Sequence, residues 1–309
     1  MANVKPYRIK SITEIHRLMR LPKPHHPLLG IVDVSGIKND SAINAVLFDL
    51  YVISLKRGCD KLHYGQQRYD FDEGLMAFMA PGQILRGEEN GVPAGLEGWM
   101  LFIHPDFLWN TPLAKKIRQY AYFGYSTNEA LFLSDKEEAI INGIVANIKN
   151  EYHTNMDKFS QDIIVSHLET LLNYAERFYQ RQFITRKIAN HQILDRFEKL
   201  LSDYFNDDDL ITKGLPTVQY VSEQLNISPN YLRSLLKVLT GQNTQQHIHD
   251  RLIEKAKERL STTDLSVSEI AYGLGFEHPQ SFSKLFKTKT TVSPLQFRQS
   301  FNRAVPGSH

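Results

Sequence analysis

Two stretches of the chain, Thr217-Val-Gln-Tyr-Val-Ser-Glu-Gln-Leu225 and Ser266-Val-Ser-Glu-Ile-Ala-Tyr-Gly-Leu274, repeat one structural phrase at an offset of 49 residues. Each opens on a hydroxyl side chain suited to cap a helix, and Glu269 completes a capping box with Ser266. Val221 matches Ile270 and Leu225 matches Leu274, four residues apart on one inward stripe. A turn follows in each copy: Asn226-Ile227-Ser228 in the first, Gly275-Phe276-Glu277-His278 in the second. Asn and Gly tolerate the left-handed conformation that ends a helix, and Ile227 and Phe276 are apolar plugs beneath the turn. A second helix then starts on Pro229 or Pro279, where the missing N–H costs nothing. The second helices align at offset 50, Leu232 with Phe282, Leu235 with Leu285, Leu236 with Phe286 and Lys237 with Lys287.

The spacing therefore predicts helix, short turn, helix, twice over. In such a unit the second helix can lie in the DNA major groove with its first turns at the base edges. Between the copies, Gln245 to Leu260 reads as an amphipathic helix with Ile248, Leu252, Ile253, Ala256 and Leu260 inward, a rod of roughly 24 Å. A rod of that length suits two reading helices set near the ~34 Å repeat of B-DNA.

Charge follows the same division. Residues 1–209 hold 24 Lys+Arg against 27 Asp+Glu, whereas residues 210–309 hold 12 against 7, so the basic part of the 309-residue chain is the C-terminal part. An excess of base there suits nucleic acid. The single cysteine, Cys59, excludes an intrachain disulfide framework and a Cys-rich zinc module. No apolar run reaches the ~18–20 residues of a membrane helix, and Met1 to Lys10 lacks the apolar core of a secretory signal. The expectation is a cytoplasmic protein with no membrane partner.

Residues 217–298 resemble the DNA-binding domain of the AraC family of transcription regulators (AraC/XylS type). The resemblance is carried by Ile248, Ala256 and Leu260, by Val267-Ser-Glu-Ile-Ala-Tyr-Gly-Leu-Gly-Phe276, by Phe282 and Phe286, and by Ser293-Pro294-Leu-Gln-Phe-Arg298. Upstream, Gly98 to Phe107, Asn128 to Leu131 and Arg177 to Phe183 resemble a subgroup common in Bacteroidetes-type bacteria. That likeness implies a cupin-like β-domain followed by helices that often mediate dimerisation.

Within the first reading helix the inward set Leu232, Leu235 and Leu236 leaves Asn230, Arg233, Ser234 and Lys237 outward. In the second, Phe282, Leu285 and Phe286 leave Gln280, Ser281 and Lys284 outward, with His278 at the tip. Arg can take guanine O6 and N7 together, and Asn the adenine N6 and N7. The resemblance places base or backbone contacts on these same positions. Lys255, Lys257, Arg259, Lys287, Lys289 and Arg298 are candidate phosphate contacts or plain surface charge.

The N-terminal part reads differently. The run 43–55 predicts one buried strand ending at Lys56-Arg57-Gly58; Tyr69 to Phe71 and Leu75 to Met79 predict a hairpin about Asp72-Glu73-Gly74; Trp99 to Ile103 predicts another strand. Such strands suggest a small sandwich or barrel. Tyr51, Phe78 and Trp99 are candidates for an effector pocket, against the plainer alternative that they are core. From Ser134-Asp-Lys-Glu137, a capping box, helices are expected with the stripes Ile140, Ile141, Ile144, Val145, Ile148 and Ile164, Leu168, Leu171, Leu172, Ala175. A third runs from Ile188 to Phe205. These stripes can pack on the β-domain or on a second subunit.

The resulting expectation is an α+β multidomain chain. It has a cupin-like β-sandwich or barrel sensor at 1–133, a helical dimerisation region at 134–205, a linker at 206–216 (Asn206-Asp-Asp-Asp209, Gly214-Leu-Pro216), and an all-α double helix-turn-helix domain at 217–309. The function expected is a sequence-specific transcription regulator and not an enzyme. Its partners would be double-stranded DNA, a second copy of itself, a small-molecule effector and RNA polymerase, with no cofactor. The rival is a cupin-type metal enzyme with a helical appendage. Against it, the strand region offers only His63, His25-His26 lie between prolines, and His247 and His249 face different sides of a helix.

Overall fold

The structure is a computed structural model that describes residues 6–36, 45–57, 74–86, 97–126, 129–154, 157–185, 187–207 and 210–304. Gly58, Cys59, His63, Asn128, Asp208 and Asp209, and the expected hairpin segment 69–73, lie outside the described residues. The chain divides into two compact units, Met1–Thr185 and Arg186–His309.

The first unit is β-rich. Its strands are β1 (Tyr7–Ile9), β2 (Leu29–Asp33), β3 (Ala45–Phe48), β4 (Tyr51–Arg57), β5 (Gly74–Met79), β6 (Ile84–Arg86), β7 (Glu97–Ile103) and β8 (Leu131–Leu133), with helix α1 (Ile12–Leu18) after β1. They form a three-stranded sheet, β1-β3-β6, and a five-stranded sheet, β2-β7-β4-β5-β8. One apolar core joins Ile9, Phe48 and helix residues Ile12 and Ile15 to Val32, Val52, Met79, Met100 and Phe102 of the larger sheet. The run expected as one strand at 43–55 is instead two strands in different sheets. The chain breaks at Asp49-Leu50 because Asp49 is held by Arg8, whose Nε lies 3.1 and 3.0 Å from the two carboxylate oxygens, while the Asp49 N–H donates to the Ile9 carbonyl. Strands β1, β2, β6 and β8 and helix α1 are absent from the sequence-based expectation, although Ser11 and Glu14 with Ile12, Ile15 and Leu18 signal the helix and the run Leu28 to Val32 signals β2.

After β7 the chain runs through short turns of 3-10 helix and the small helix α2 (Leu113–Lys116) into β8, α3 (Asp135–His153) and α4 (Ser160–Thr185). The predicted box at Ser134 is present: Glu137 accepts from the Ser134 N–H at 3.0 Å. Apart from Ile140, the expected apolar stripes of both helices are covered within the single chain. Ile141, Ile148, Ile164, Leu168, Leu171, Leu172 and Ala175 are all 0% exposed, so at these positions the stripes pack within the chain rather than on a second subunit. Ile140 of α3 and Ile163 and Ile184 of α4 stay exposed.

The second unit is all helical: α5 (Lys187–Asn206), α6 (Leu210–Lys213), α7 (Val218–Leu225), α8 (Pro229–Thr240), α9 (Thr244–Thr262), α10 (Val267–Gly273), α11 (Pro279–Thr290) and α12 (Pro294–Ala304). Its core moves the expected boundary. Phe197, Leu201 and Phe205 of α5 and Leu210 of α6 are buried in one cluster with Val221, Leu232, Ile248, Ile270, Phe282 and Phe286. The polar, Gly/Pro-punctuated stretch 206–216 is therefore inside the unit. The Tyr204 hydroxyl donates to the Gly214 carbonyl at 3.0 Å, and Gly275 packs against Gly214 so closely that a Cβ on Gly275 would lie 2.9 Å from the Gly214 Cα.

Candidate nucleic-acid interface

The repeat read from sequence recurs in the hydrogen bonding. Thr217 caps α7 through the Tyr220 N–H, and Ser266 caps α10 through that of Glu269. At the first turn Asn226, at φ +58, donates to Glu223 O and Ile227 to Ser222 O; at the second Gly275, at φ +83, donates to Tyr272 O and Phe276 to Ala271 O. Donor and acceptor shift together by 49 residues, so the two turns are the same object. The following helices both start on proline and end on a left-handed residue, Gly241 and Thr291, whose N–H groups return to Lys237 O and Lys287 O.

The buried faces orient the rest. Tyr231, Leu232, Leu235 and Leu236 are buried on α8, and Phe282 and Phe286 on α11, with Leu285 half-buried. Asn230, Arg233 and Lys237 stand exposed on one stripe of α8, and Ser234 is half-buried beside them. Gln280, Ser281 and Lys284 are exposed on α11, and His278 is exposed at its tip. The His278 side chain makes no capping bond, whereas Ser228 caps α8 by accepting from the Tyr231 N–H at 3.1 Å. Among the described residues Arg233, Lys284 and Lys287 make no ion pair. Lys237 is different: its Nζ donates to the Gly241 carbonyl at 2.7 Å, closing its own helix end. Lys287, its counterpart in the repeat, is exposed and makes no such bond among the described residues, so it extends the α11 stripe. The Lys237–Lys287 match at offset 50 is the signal that places Lys287 in the outward set rather than among general surface cations.

Several of those cations hold the fold. Arg298 donates to the carbonyls of Leu260 (3.1 Å) and Leu265 (2.6 Å), and Arg259 to that of Gly273 (2.9 Å). Lys255 pairs with Glu258 and reaches Asn206. The connecting helix α9 has 19 residues, about 28 Å; it starts one residue earlier than predicted, where Asn243 caps it in a box with Gln246, and ends two residues later, at Thr262. Asp250 on α9 binds both sides: its carboxylate accepts from Lys289 of α11 at 2.7 Å and from Gln242, ahead of α9, at 2.9 Å. Burial raises the Asp250 carboxyl, but these two donors outweigh it and hold the group below its ordinary range. Burial lowers His247, whose Nε2 sits 2.8 Å from the Thr240 hydroxyl while its ring packs edge-on against Phe197.

Of the candidate effector residues, Tyr51 and Phe78 meet at Phe123, whereas Trp99 stands apart. Tyr51, Phe78 and Trp99 share one face of the larger sheet, since Ile103 pairs with Tyr51, Phe78 with Ile53 and Trp99 with Leu55. Tyr51 and Phe78 each pack edge-on against Phe123. Trp99 is about 13 Å further along β7 and donates to Asn142 of α3 at 2.9 Å. Phe78 lines one groove and Tyr51 another. Among the described residues no three His, Cys, Asp or Glu side chains stand close enough to hold a metal, and no helix is long and apolar enough to cross a membrane.

The helical unit thus defines a double helix-turn-helix module. Residues 221–300 match a family model described as a helix-turn-helix domain. Over 79 residues the chain is 38% identical to the transcriptional activator RhaS of Salmonella arizonae, which is 26% of this chain and 28% of that protein. Over 84 residues it is 36% identical to the raffinose operon transcriptional regulatory protein of Pediococcus pentosaceus, 27% of this chain and 30% of that one. A solved structure, the C-terminal domain of the response regulator AraT from Geobacillus stearothermophilus, is 32% identical and covers 35% of this chain and 84% of its own, with a TM-score of 0.31. The chain spans less than two thirds of the curated relatives' lengths. The C-terminal unit therefore contains an AraC-type helix-turn-helix domain.

Proposed function

We propose that the protein is a sequence-specific transcription regulator whose α8 and α11 enter successive major-groove segments of double-stranded DNA. One observation carries this: two helices, each entered through the same turn, present a polar stripe opposite a buried apolar face. A polar face opposite an apolar one is ordinary for a surface helix; what singles out these two is that each is the second helix of the same helix-turn-helix unit and carries on its first turns polar and basic side chains that are unpaired among the described residues. Arg233 and Asn230 are the base-reading residues of α8; Gln280 and Lys284 are those of α11. Ser234, Ser281, His278, Lys237 and Lys287 flank them as backbone or edge contacts. The relatives' roles in transcription support the same reading.

The β-rich unit is the regulatory part in this reading. Two sheets enclosing one apolar core support a cupin-like architecture, and exposed Ile140 and Ile163 on α3 and α4 support a homodimer, with contacts to a small-molecule effector and to RNA polymerase completing a cytoplasmic regulator. The test separates the units. Residues 186–309 should bind operator DNA with an affinity that falls steeply as salt rises, because phosphate contacts release counterions. Binding by residues 1–185 and none by residues 186–309 refutes the assignment.

A further inference from the structure

A groove of about 780 Å³ opens on the first unit between Tyr51 and the segment Pro105 to Arg118. That volume is in the range of small-molecule sites, roughly 300–1,000 Å³. Its floor is apolar and fixed: Leu108 and Ile117 are 1% exposed, and Tyr51 is 7% exposed. On its rim stands Trp109, 69% exposed.

The backbone carrying the rim is tied down. Gln161 of α4 donates to the Phe107 carbonyl at 2.7 Å, Lys116 pairs with Glu169 at 2.6 Å, and the Tyr120 hydroxyl donates to Asn173 at 2.8 Å. Asn110, at φ +63, makes the turn that sets Trp109 beside the groove. With Ile117 buried and Lys116 paired to Glu169, Lys115 and Arg118 are left exposed at i, i+3 in the groove lining. Neither makes an ion pair with a described residue. The one carboxylate in the lining, Asp106, lies 3.5 Å from His104 Nδ1.

An apolar floor, an exposed flat ring and two cations free of carboxylate partners among the described residues are complementary to one kind of molecule. We propose that this groove binds a small amphipathic carboxylate with a flat aromatic body, the ring lying on Trp109 and the carboxylate between Lys115 and Arg118. Arg118 offers the planar fork that matches a carboxylate. The proposal concerns binding by the first unit and does not rest on the DNA reading.

The test is calorimetric titration of the full chain with indole-3-acetate and, as the uncharged probe of equal shape, indole-3-acetamide. The acetate should bind about tenfold more tightly than the amide, the increment of one charge-assisted pair. Lys115→Ala/Arg118→Ala should erase that preference and leave amide binding in place, while Trp109→Ala should weaken both probes. Equal affinity for the two probes, unchanged binding in all variants, or no saturable binding of either probe overturns the proposal. So does a Trp109→Ala variant that alters sedimentation of the chain but not probe affinity, since the face would then be a contact between copies. DNA affinity, measured separately on each variant, reports on the regulator reading independently.

Discussion

Removing α5 should unfold the helical unit, although the sequence pattern places the boundary after that helix. A fragment of residues 210–309 keeps both helix-turn-helix motifs but loses Phe197, Leu201 and Phe205, which are 1%, 1% and 4% exposed. Fully burying such side chains contributes about 1.5–3 kcal/mol each. The three together amount to roughly 5–9 kcal/mol, comparable with the whole stability of a small domain, about 5–15 kcal/mol. The loss also uncovers the apolar cluster they share with α7 and α9 and removes the edge-on contact of Phe197 with His247. Far-UV circular dichroism with urea titration should show a cooperative transition for residues 186–309 and little or none for residues 210–309. A single substitution, Phe197→Ala, should cost about 3–5 kcal/mol in the longer fragment. If the short fragment unfolds at the same urea midpoint as the long one, the assignment of α5 to this core is wrong.

Other consequences follow from the same unit. Gly275→Ala should lower the melting temperature by several degrees, since the residue sits at φ +83 against Gly214 and a strained backbone position costs about 1–3 kcal/mol; an unchanged melting temperature would contradict the close approach. Asp250→Asn should weaken DNA binding more than it weakens folding, because its carboxylate ties Lys289 of α11 and Gln242 to α9; equal affinity for operator DNA would deny it that role. His247 and His249 are both lowered from 6.5 by burial. A depressed histidine is neutral in the fold and takes up its proton more readily when unfolded, so stability is complete above pH 6.5 and falls as the pH drops below it. Thermal melts of residues 186–309 between about pH 8 and 5 should show that decline, and His247→Gln should reduce it.

The sequence disclosed the second unit better than the first for a physical reason. A helix-turn-helix states its caps, turn residues and apolar spacing locally, and writing them twice at offsets of 49 and 50 removes coincidence. Even the outward stripes were legible, because Leu232, Leu235, Phe282 and Phe286 fix the buried face. What was hidden is what a helix packs against. The amphipathic pattern of α5 is the same whether it faces a sheet, a second subunit or α9, and the Asn-Asp and Gly-Leu-Pro signals beyond it mark a turn inside a core as readily as a linker between cores. Roles of single cations were hidden likewise: Arg259 and Arg298 cap carbonyls that are distant in sequence. In the β-rich unit, strands of three residues such as β1, β6 and β8 are too short for alternation to register. The sheet change falls at Asp49, whose partners are Arg8, 41 residues away in sequence, and the neighbouring Ile9 carbonyl.

The central claim is that α8 and α11 read different bases of one site. The direct measurement is the affinity of residues 186–309, unchanged, Arg233→Ala and Gln280→Ala, for a library of single-base variants of the operator. Each substitution should cost about 1–3 kcal/mol on the preferred site and far less on random DNA, and each should relax preference in its own half of the site. Loss of discrimination by both variants at the same base pairs, or by neither anywhere, would contradict the two-helix account.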